Sequence, residues 1–311
     1  MPDKLSSNAR HDVDLTSFTL AAVTAMAWGM TGVFVRLLPP RHPATITAAR
    51  LLIALPVAIL PGFLSGSRQK LCRNTLARPE SYLLATLLAG YYLMATTAFQ
   101  MAPVADVALL LSTPPLFVLA IEKILGPQPP KAAILGATLA VVGIAVILSP
   151  GISLTGNSTL HSFIGRSMAL FAAMLTALYA HFYQRLSQKT IILNAKTVTF
   201  LTFFIGGLGA GLISFLQPST MHIEPDFNSI VIFLALGILS TAIPTLGFAV
   251  LSNRLPAIMT STISLFIPLF SGIFAYLLLG ERITPMFLLG SVFVLLGVSM
   301  IIFRNRFRKR I

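Results

Sequence analysis

The sequence predicts an all-α integral membrane protein whose ten transmembrane helices form two inverted five-helix repeats. Three observations carry this reading. The first is composition: 56% of the 311 residues are hydrophobic and only 10% are charged, against about 25% charged in soluble globular chains. The second is segmentation into apolar runs of about 20 residues, the length that crosses ~30 Å of hydrocarbon at 1.5 Å rise per residue. The third is internal similarity. Moving the stretch 255–303 back by 154 positions lays Pro268 on Pro114, Gly280 on Gly126, Leu289-Gly290 on Leu135-Gly136, Gly297 on Gly143 and Ile301 on Ile147.

Taken in order, the apolar runs are 15–38, 43–64, 80–101, 104–125, 130–149, 162–185, 196–216, 228–251, 256–279 and 284–303. None alternates apolar with polar residues, so a transmembrane barrel does not fit. Residues 1–14 read as a cytoplasmic tail leading into a signal anchor, because the first run is long for a signal h-region and no small-residue cleavage site follows it. Residues 15–151 form the first repeat, 152–161 a polar Gly/Ser/Thr linker, 162–303 the second repeat and 304–311 a basic tail.

Charge placement sets orientation, since Lys and Arg flanks stay in the cytoplasm. With the N-terminus inside, 17 of the 22 basic residues fall on the cytoplasmic side. Both termini are then cytoplasmic. The net charge of +13 is thereby a topology signal, and the RNRFRKR tail (304–310) reads as a contact with anionic membrane lipid rather than nucleic acid. Five spans per half is odd, so the two halves enter the membrane in opposite senses. A single cysteine, Cys72, excludes an intramolecular disulfide and any cysteine-built metal site.

Ala27-Trp28-Gly29 in the first run, Pro43 with Arg50 in the second, the spacing from Pro103 to Pro114, and LLLGERITPMFLLG (277–290) together resemble the drug/metabolite transporter superfamily in its EamA-like branch. The resemblance covers nearly the whole chain. It implies an inner-membrane exporter or exchanger of small polar metabolites, such as amino acids, with a central cavity lined by helices 1, 3, 4, 6, 8 and 9. One departure stands out. Members often repeat the Gly-Glu pair at the end of the fourth helix, where this chain has Gly126-Pro127 and the nearest carboxylate is Glu122.

Within that frame the candidate substrate-binding residues are Trp28, Arg50, Tyr92, Thr96, Gln100, Ser112, Tyr179, Tyr183, Thr245 and Ser264. Arg50 is the costliest, at on the order of 2.5–3.5 kcal/mol for a charge at a helix centre. It either anchors a carboxylate or phosphate with its guanidinium fork, or snorkels to headgroups, or pairs with backbone carbonyls at a helix break. Trp28, the only tryptophan, sits mid-helix beside small residues, where it can wall a cavity or simply pack. Tyr92, Thr96, Phe99 and Gln100 share one helical face, and Tyr179 and Tyr183 lie one turn apart. His181, toward the cytoplasmic end of its helix, reads as structural.

Pro114 and Pro268, paired by the repeat, are candidate gating hinges, since a proline inside a helix removes a donor and frees a carbonyl. Glu122 is the candidate for proton coupling. Asp106 opens the fourth helix, where an N-cap or first-turn role fits, and Glu281 beside Arg282 reads as structural. No catalytic, metal or phosphate-loop motif is present, and no cofactor is expected.

The resulting expectation is a secondary transporter of a small polar or zwitterionic molecule, a monomer or homodimer working by alternating access. An antiporter of phosphorylated sugars or nucleotides would need more basic residues than Arg50 alone. A membrane-embedded enzyme or lipid-binding scaffold would need a clustered polar site at one interface.

Overall fold

A computed structural model describes residues 16–17, 19–64, 73–125, 130–148, 157–188, 193–217, 226–254 and 257–302. Both terminal tails, Cys72 and Gly126-Pro127 lie outside these residues, as does the first half of the linker, 152–156. The ordered elements are helical. They are α1 (Thr19–Leu37), α2 (Pro43–Leu64), α3 (Pro79–Met101), α4 (Val104–Leu110, resuming at Pro114–Leu125), α5 (Lys131–Leu148), α6 (Asn157–Gln188), α7 (Ala195–Phe215), α8, α9 (Ala257–Leu279) and α10 (Pro285–Ile302). Helix α8 comprises Phe227–Leu234, a π-helical stretch Ala235–Ala242, and Ile243–Arg254. A single turn, Arg73–Leu76, precedes α3.

Among the described residues, eight helices are long and apolar enough to cross a membrane: α1, α3, α4, α5, α6, α7, α8 and α10. Helices α2 and α9 run for 22 and 23 residues and include the apolar stretches Pro43–Ile59 and Ser264–Leu279. The outer surface matches a lipid solvent. Phe215 is 65% exposed and Leu277 67%, with Val292, Leu296 and Leu212 also bare, an apolar coat that a soluble monomer would not carry.

Helix ends follow local chemistry. Pro79 and Pro285 open α3 and α10 at the first turn, where a missing N–H costs nothing. Asn194 caps α7 by accepting from the Lys196 and Thr197 N–H groups, and Thr284 caps α10 by accepting from Phe287 N–H at 3.1 Å. Helix α9 stops at Gly280, whose φ of +65° lies in the left-handed region glycine tolerates. The chain then turns back, and Glu281 N–H donates to the Ala275 carbonyl at 3.2 Å.

Two of the single apolar runs prove irregular inside. Helix α4 breaks over 111–113, where the Ser112 and Thr113 hydroxyls donate to the Leu109 and Leu110 carbonyls at 2.6 Å each, and restarts at Pro114. Pro268, its repeat partner in the sequence, lies within an uninterrupted α9. Helix α8 contains the π-turn. Pro244 has no N–H to give to the Ser240 carbonyl four residues back, and the Thr31 hydroxyl of α1 approaches that carbonyl instead, at 3.5 Å.

Helices pair as α5 with α10, α3 with α6 and α2 with α7. The α5–α10 seam is set by glycine. A Cβ on Gly136 would stand 2.6 Å from the Gly297 carbonyl, and one on Gly143 would stand 2.6 Å from the Gly290 carbonyl, so only bare backbone permits this approach, as in other membrane helix pairs. The main core joins Phe34, Ile46, Phe99, Val107, Leu110, Leu236 and Val294 from α1, α2, α3, α4, α8 and α10.

Candidate functional site

Arg50 of α2 sits at the meeting of α2, α3 and α8 and is 2% exposed. Its Nε and Nη2 donate to Thr241 Oγ1 at 3.2 and 3.0 Å, and its Nη1 donates to Thr96 Oγ1 at 3.4 Å. The Tyr92 ring lies under the guanidinium, 5.0 Å from its carbon to the ring centroid, a cation–π geometry. Both hydroxyls are obliged to accept, because their own hydrogens are committed to backbone. Thr96 donates to the Tyr92 carbonyl and Thr241 to the Leu236 carbonyl, each at 2.8 Å. The second of these spans five residues, a reach that suits the π-helical register of α8.

A guanidinium carries five N–H groups. Three meet Thr241 and Thr96, which leaves two. Among the described residues no carboxylate pairs with Arg50. One turn along α2, the Thr47 hydroxyl is fully buried and has no hydrogen-bond partner. Most buried polar groups in folded proteins are paired, and here the guanidinium keeps spare donors and, among the described residues, has no counter-ion.

The remaining residues singled out in the sequence divide into three groups. Tyr92 and Thr96 join Arg50 directly, and the Tyr92 phenol lies near Thr245, whose hydroxyl donates to the Thr241 carbonyl at 2.6 Å. Tyr179 and Tyr183 stack with ring centroids 5.8 Å apart. Tyr183 donates to the Leu193 carbonyl at 3.3 Å and packs with Leu84 and Val198. The others stand apart. Gln100 Nε2 donates to the Arg41 carbonyl at 2.8 Å; half-buried Trp28 packs against Phe248 at 5.4 Å; Ser112 closes the α4 break; Ser264 and Glu122 are half-buried on α9 and α4. Phe99 turns away from the polar face into the core. Thr241, which the sequence reading passed over in favour of Thr245, is the principal contact. Its only signal was a Ser-Thr pair three residues before a proline.

A second polar cluster closes the end of the bundle where α3 passes to α4 and α9 to α10. Asp106 and Arg166 form a buried pair, with Nε donating at 2.7 Å and Nη2 at 2.6 Å to one carboxylate oxygen. Asp106 thus stands in the first turn of α4 but makes no cap. Glu281 takes that role from across the molecule, its two oxygens accepting from Val104 N–H at 2.9 and 3.2 Å. Arg36 donates to the Ala102 carbonyl at 2.8 Å. Burial holds the Glu281 carboxyl above the ordinary carboxylate range, against the opposing pull of Val104 N–H and Arg36. Among the described residues no cluster of His, Cys, Asp and Glu could hold a metal ion.

An apolar helical bundle with lipid-facing flanks and, among the described residues, a buried guanidinium that no carboxylate pairs with defines an integral membrane protein with an internal polar site. The sequence pattern of the EamA-like transporter family matches residues 15–149 and 163–303, and the chain belongs to that family. Its relatives include an uncharacterized transporter of Archaeoglobus fulgidus, 24% identical over 89% of this chain and 92% of the relative. A Clostridium kluyveri uncharacterized transporter is 25% identical, over 57% of this chain and 54% of its own length. A solved crystal structure superposes with a TM-score of 0.63 at 16% identity, covering 92% of this chain and 96% of that one, which speaks to the fold alone. The protein is therefore a membrane transporter by family, and the names of its relatives are those of transporters rather than enzymes.

Proposed function

We propose that the chain is a secondary transporter of small carboxylate-bearing metabolites, zwitterionic amino acids among them, and that Arg50 anchors the carboxylate. One observation carries this reading: a buried guanidinium with two spare N–H groups and no carboxylate partner among the described residues. An unpaired charge in a low-dielectric interior costs several kcal/mol, and a bidentate carboxylate returns much of that through charge-assisted hydrogen bonds. A substrate with two or more phosphate charges would call for further cations beside Arg50, and Thr241, Thr96 and Tyr92 supply none.

Alternating access of two inverted halves is the transport mechanism we assign. The α5–α10 seam supports it. Gly136 and Gly290 are equivalent in the sequence repeat, as are Gly143 and Gly297, yet the contacts run crosswise, Gly136 to Gly297 and Gly143 to Gly290. A crosswise contact between equivalent positions is what a two-fold axis between the helices produces. The family pattern matching twice along the chain agrees. The ten-span reading, with both termini in the cytoplasm of a bacterial inner membrane, rests on the distribution of Lys and Arg.

The test is uptake by proteoliposomes offered a panel of labelled amino acids and small mono- and dicarboxylates. Saturable uptake of a carboxylate-bearing member is expected. In Arg50→Ala it should fall by a factor of about 30 or more, as follows when a buried charge loses its partner, with Arg50→Lys recovering a fraction of it. Unchanged kinetics in Arg50→Ala, or a folded protein that moves no member of the panel, would sink the proposal.

A further inference from the structure

We propose that the Asp106–Arg166 pair and the Glu281 cap on α4 form the outer gate of the transport path, closed in this structure. The two halves of the chain meet here through polar bonds. Asp106 and Val104 belong to the first half, Arg166 and Glu281 to the second. By the Lys and Arg count this is the outer end of the bundle.

Each bond is of a kind that separates as a unit rather than stretching. The ion pair is buried, with Arg166 8% and Asp106 6% exposed, so parting the helices obliges both charges to find water or new partners. Glu281 supplies the acceptor that the first N–H of α4 lacks within its own helix, and it places negative charge at the positive end of the helix dipole. Its position depends on Gly280, whose positive φ ends α9 and swings Glu281 across to α4. Beside these bonds lies a small cavity whose lining includes Ala105, Asp106, Arg166, Gly272, Glu281 and Thr284. A Cβ on Gly272 would still have 3.8 Å to Ala105, so the helices are lightly packed there and the closure rests on the polar bonds.

The repeat makes the arrangement one-sided. Shifted by 154, Glu281 falls on Pro127, and Asp106 falls on Thr260. Neither of these two positions carries an ionisable group, so the sequence does not repeat the two carboxylates of the outer closure at the cytoplasmic end. The outer gate then sets the balance between the two access states, and weakening it shifts the protein toward outward-open. This rests on the transporter reading, but access can be measured without flux, so the two can fail separately.

The experiment places a reporter cysteine at Ala105, in a Cys72→Ser background, and follows its reaction with a membrane-impermeant thiol reagent added to intact cells. Slow labelling is expected in the parent. Asp106→Asn and Glu281→Gln, each nearly isosteric, should raise the rate by about tenfold or more, given the size of the penalty for breaking one partner from a buried pair. The charge-swapped Asp106→Arg/Arg166→Asp double variant should bring it back toward the parent, which a merely loosened fold would not do. Rates that stay within about twofold of the parent in both single variants overturn the gate. So does a rise that accompanies a falling Tm and is not reversed by the swap.

Discussion

Arg50 of α2 and Thr241 of α8 are joined by two hydrogen bonds, from Nε at 3.2 Å and Nη2 at 3.0 Å, onto one hydroxyl oxygen. The contact spans 191 residues and fixes the guanidinium plane. Because Thr241 spends its own hydrogen on the Leu236 carbonyl, it orients the cation without neutralising it.

Thr241→Val keeps the shape and removes the acceptor. Two guanidinium N–H groups are then unsatisfied, a cost of about 1–3 kcal/mol. KM for the transported carboxylate should rise about tenfold or more, on the scale of 1.4 kcal/mol per decade, with a modest loss of Tm. Thr241→Ser should stay near the parent in both. A Val variant with parental KM would show that Thr241 does not hold Arg50 in its working pose.

Pro244→Ala restores an N–H that can bond to the Ser240 carbonyl. That donor favours regular α-helix over the π-turn at 235–242 and rotates Thr241 away from Arg50. The expected outcome is a folded protein with weakened substrate binding and equal or higher thermal stability, a trade-off seen where a strained site serves function. Thermal shift with and without the transported carboxylate separates the two effects.

Gly143→Val drives a branched side chain into the Gly290 carbonyl and Val294, both under 3.0 Å from the first added carbon. Overpacking of this kind costs about 1–3 kcal/mol. Tm in detergent should drop, while KM of the surviving folded fraction should not move, since Thr241, Thr96 and Tyr92, which hold Arg50, lie on α8 and α3 rather than on the seam. A variant as stable as the parent would mean that the α5–α10 contact is looser than the glycine spacing requires.

Glu281 gives a signed dependence on pH. Its carboxyl is raised above the ordinary 4.5, first by burial, with Asp106 adding to the shift and Val104 N–H and Arg36 opposing it. The folded chain therefore holds this proton where the unfolded chain has released it. The contribution is fully present below the unfolded value and declines as pH rises through the raised one. As pH rises above 4.5, Tm of the parent should fall more steeply than that of Glu281→Gln until the raised carboxyl has ionised. Parallel Tm curves would place Glu281 in contact with water rather than under burial.

The sequence by itself determined the helical membrane class, because hydrocarbon admits few alternatives once apolar runs reach spanning length. It also marked Arg50, since a charge in such a run must have a reason, and it marked the α5 and α10 glycines through their repetition. What it could not supply were partners distant along the chain. Tyr92 and Thr96 were visible as one face of a helix, but Thr241 reaches Arg50 only through the π-turn ahead of Pro244, and a local pattern of letters does not reveal helical register. Glu281 read as a structural charge at a helix end beside Arg282, and only tertiary structure carried it to the Val104 N–H in the other half. Asp106 read as a feature of its own helix, and packing gave it to Arg166. Secondary structure and membrane residence follow from composition and period, which are local. The site and the gate follow from which buried donors meet which acceptors, and only the packing of the helices decides that.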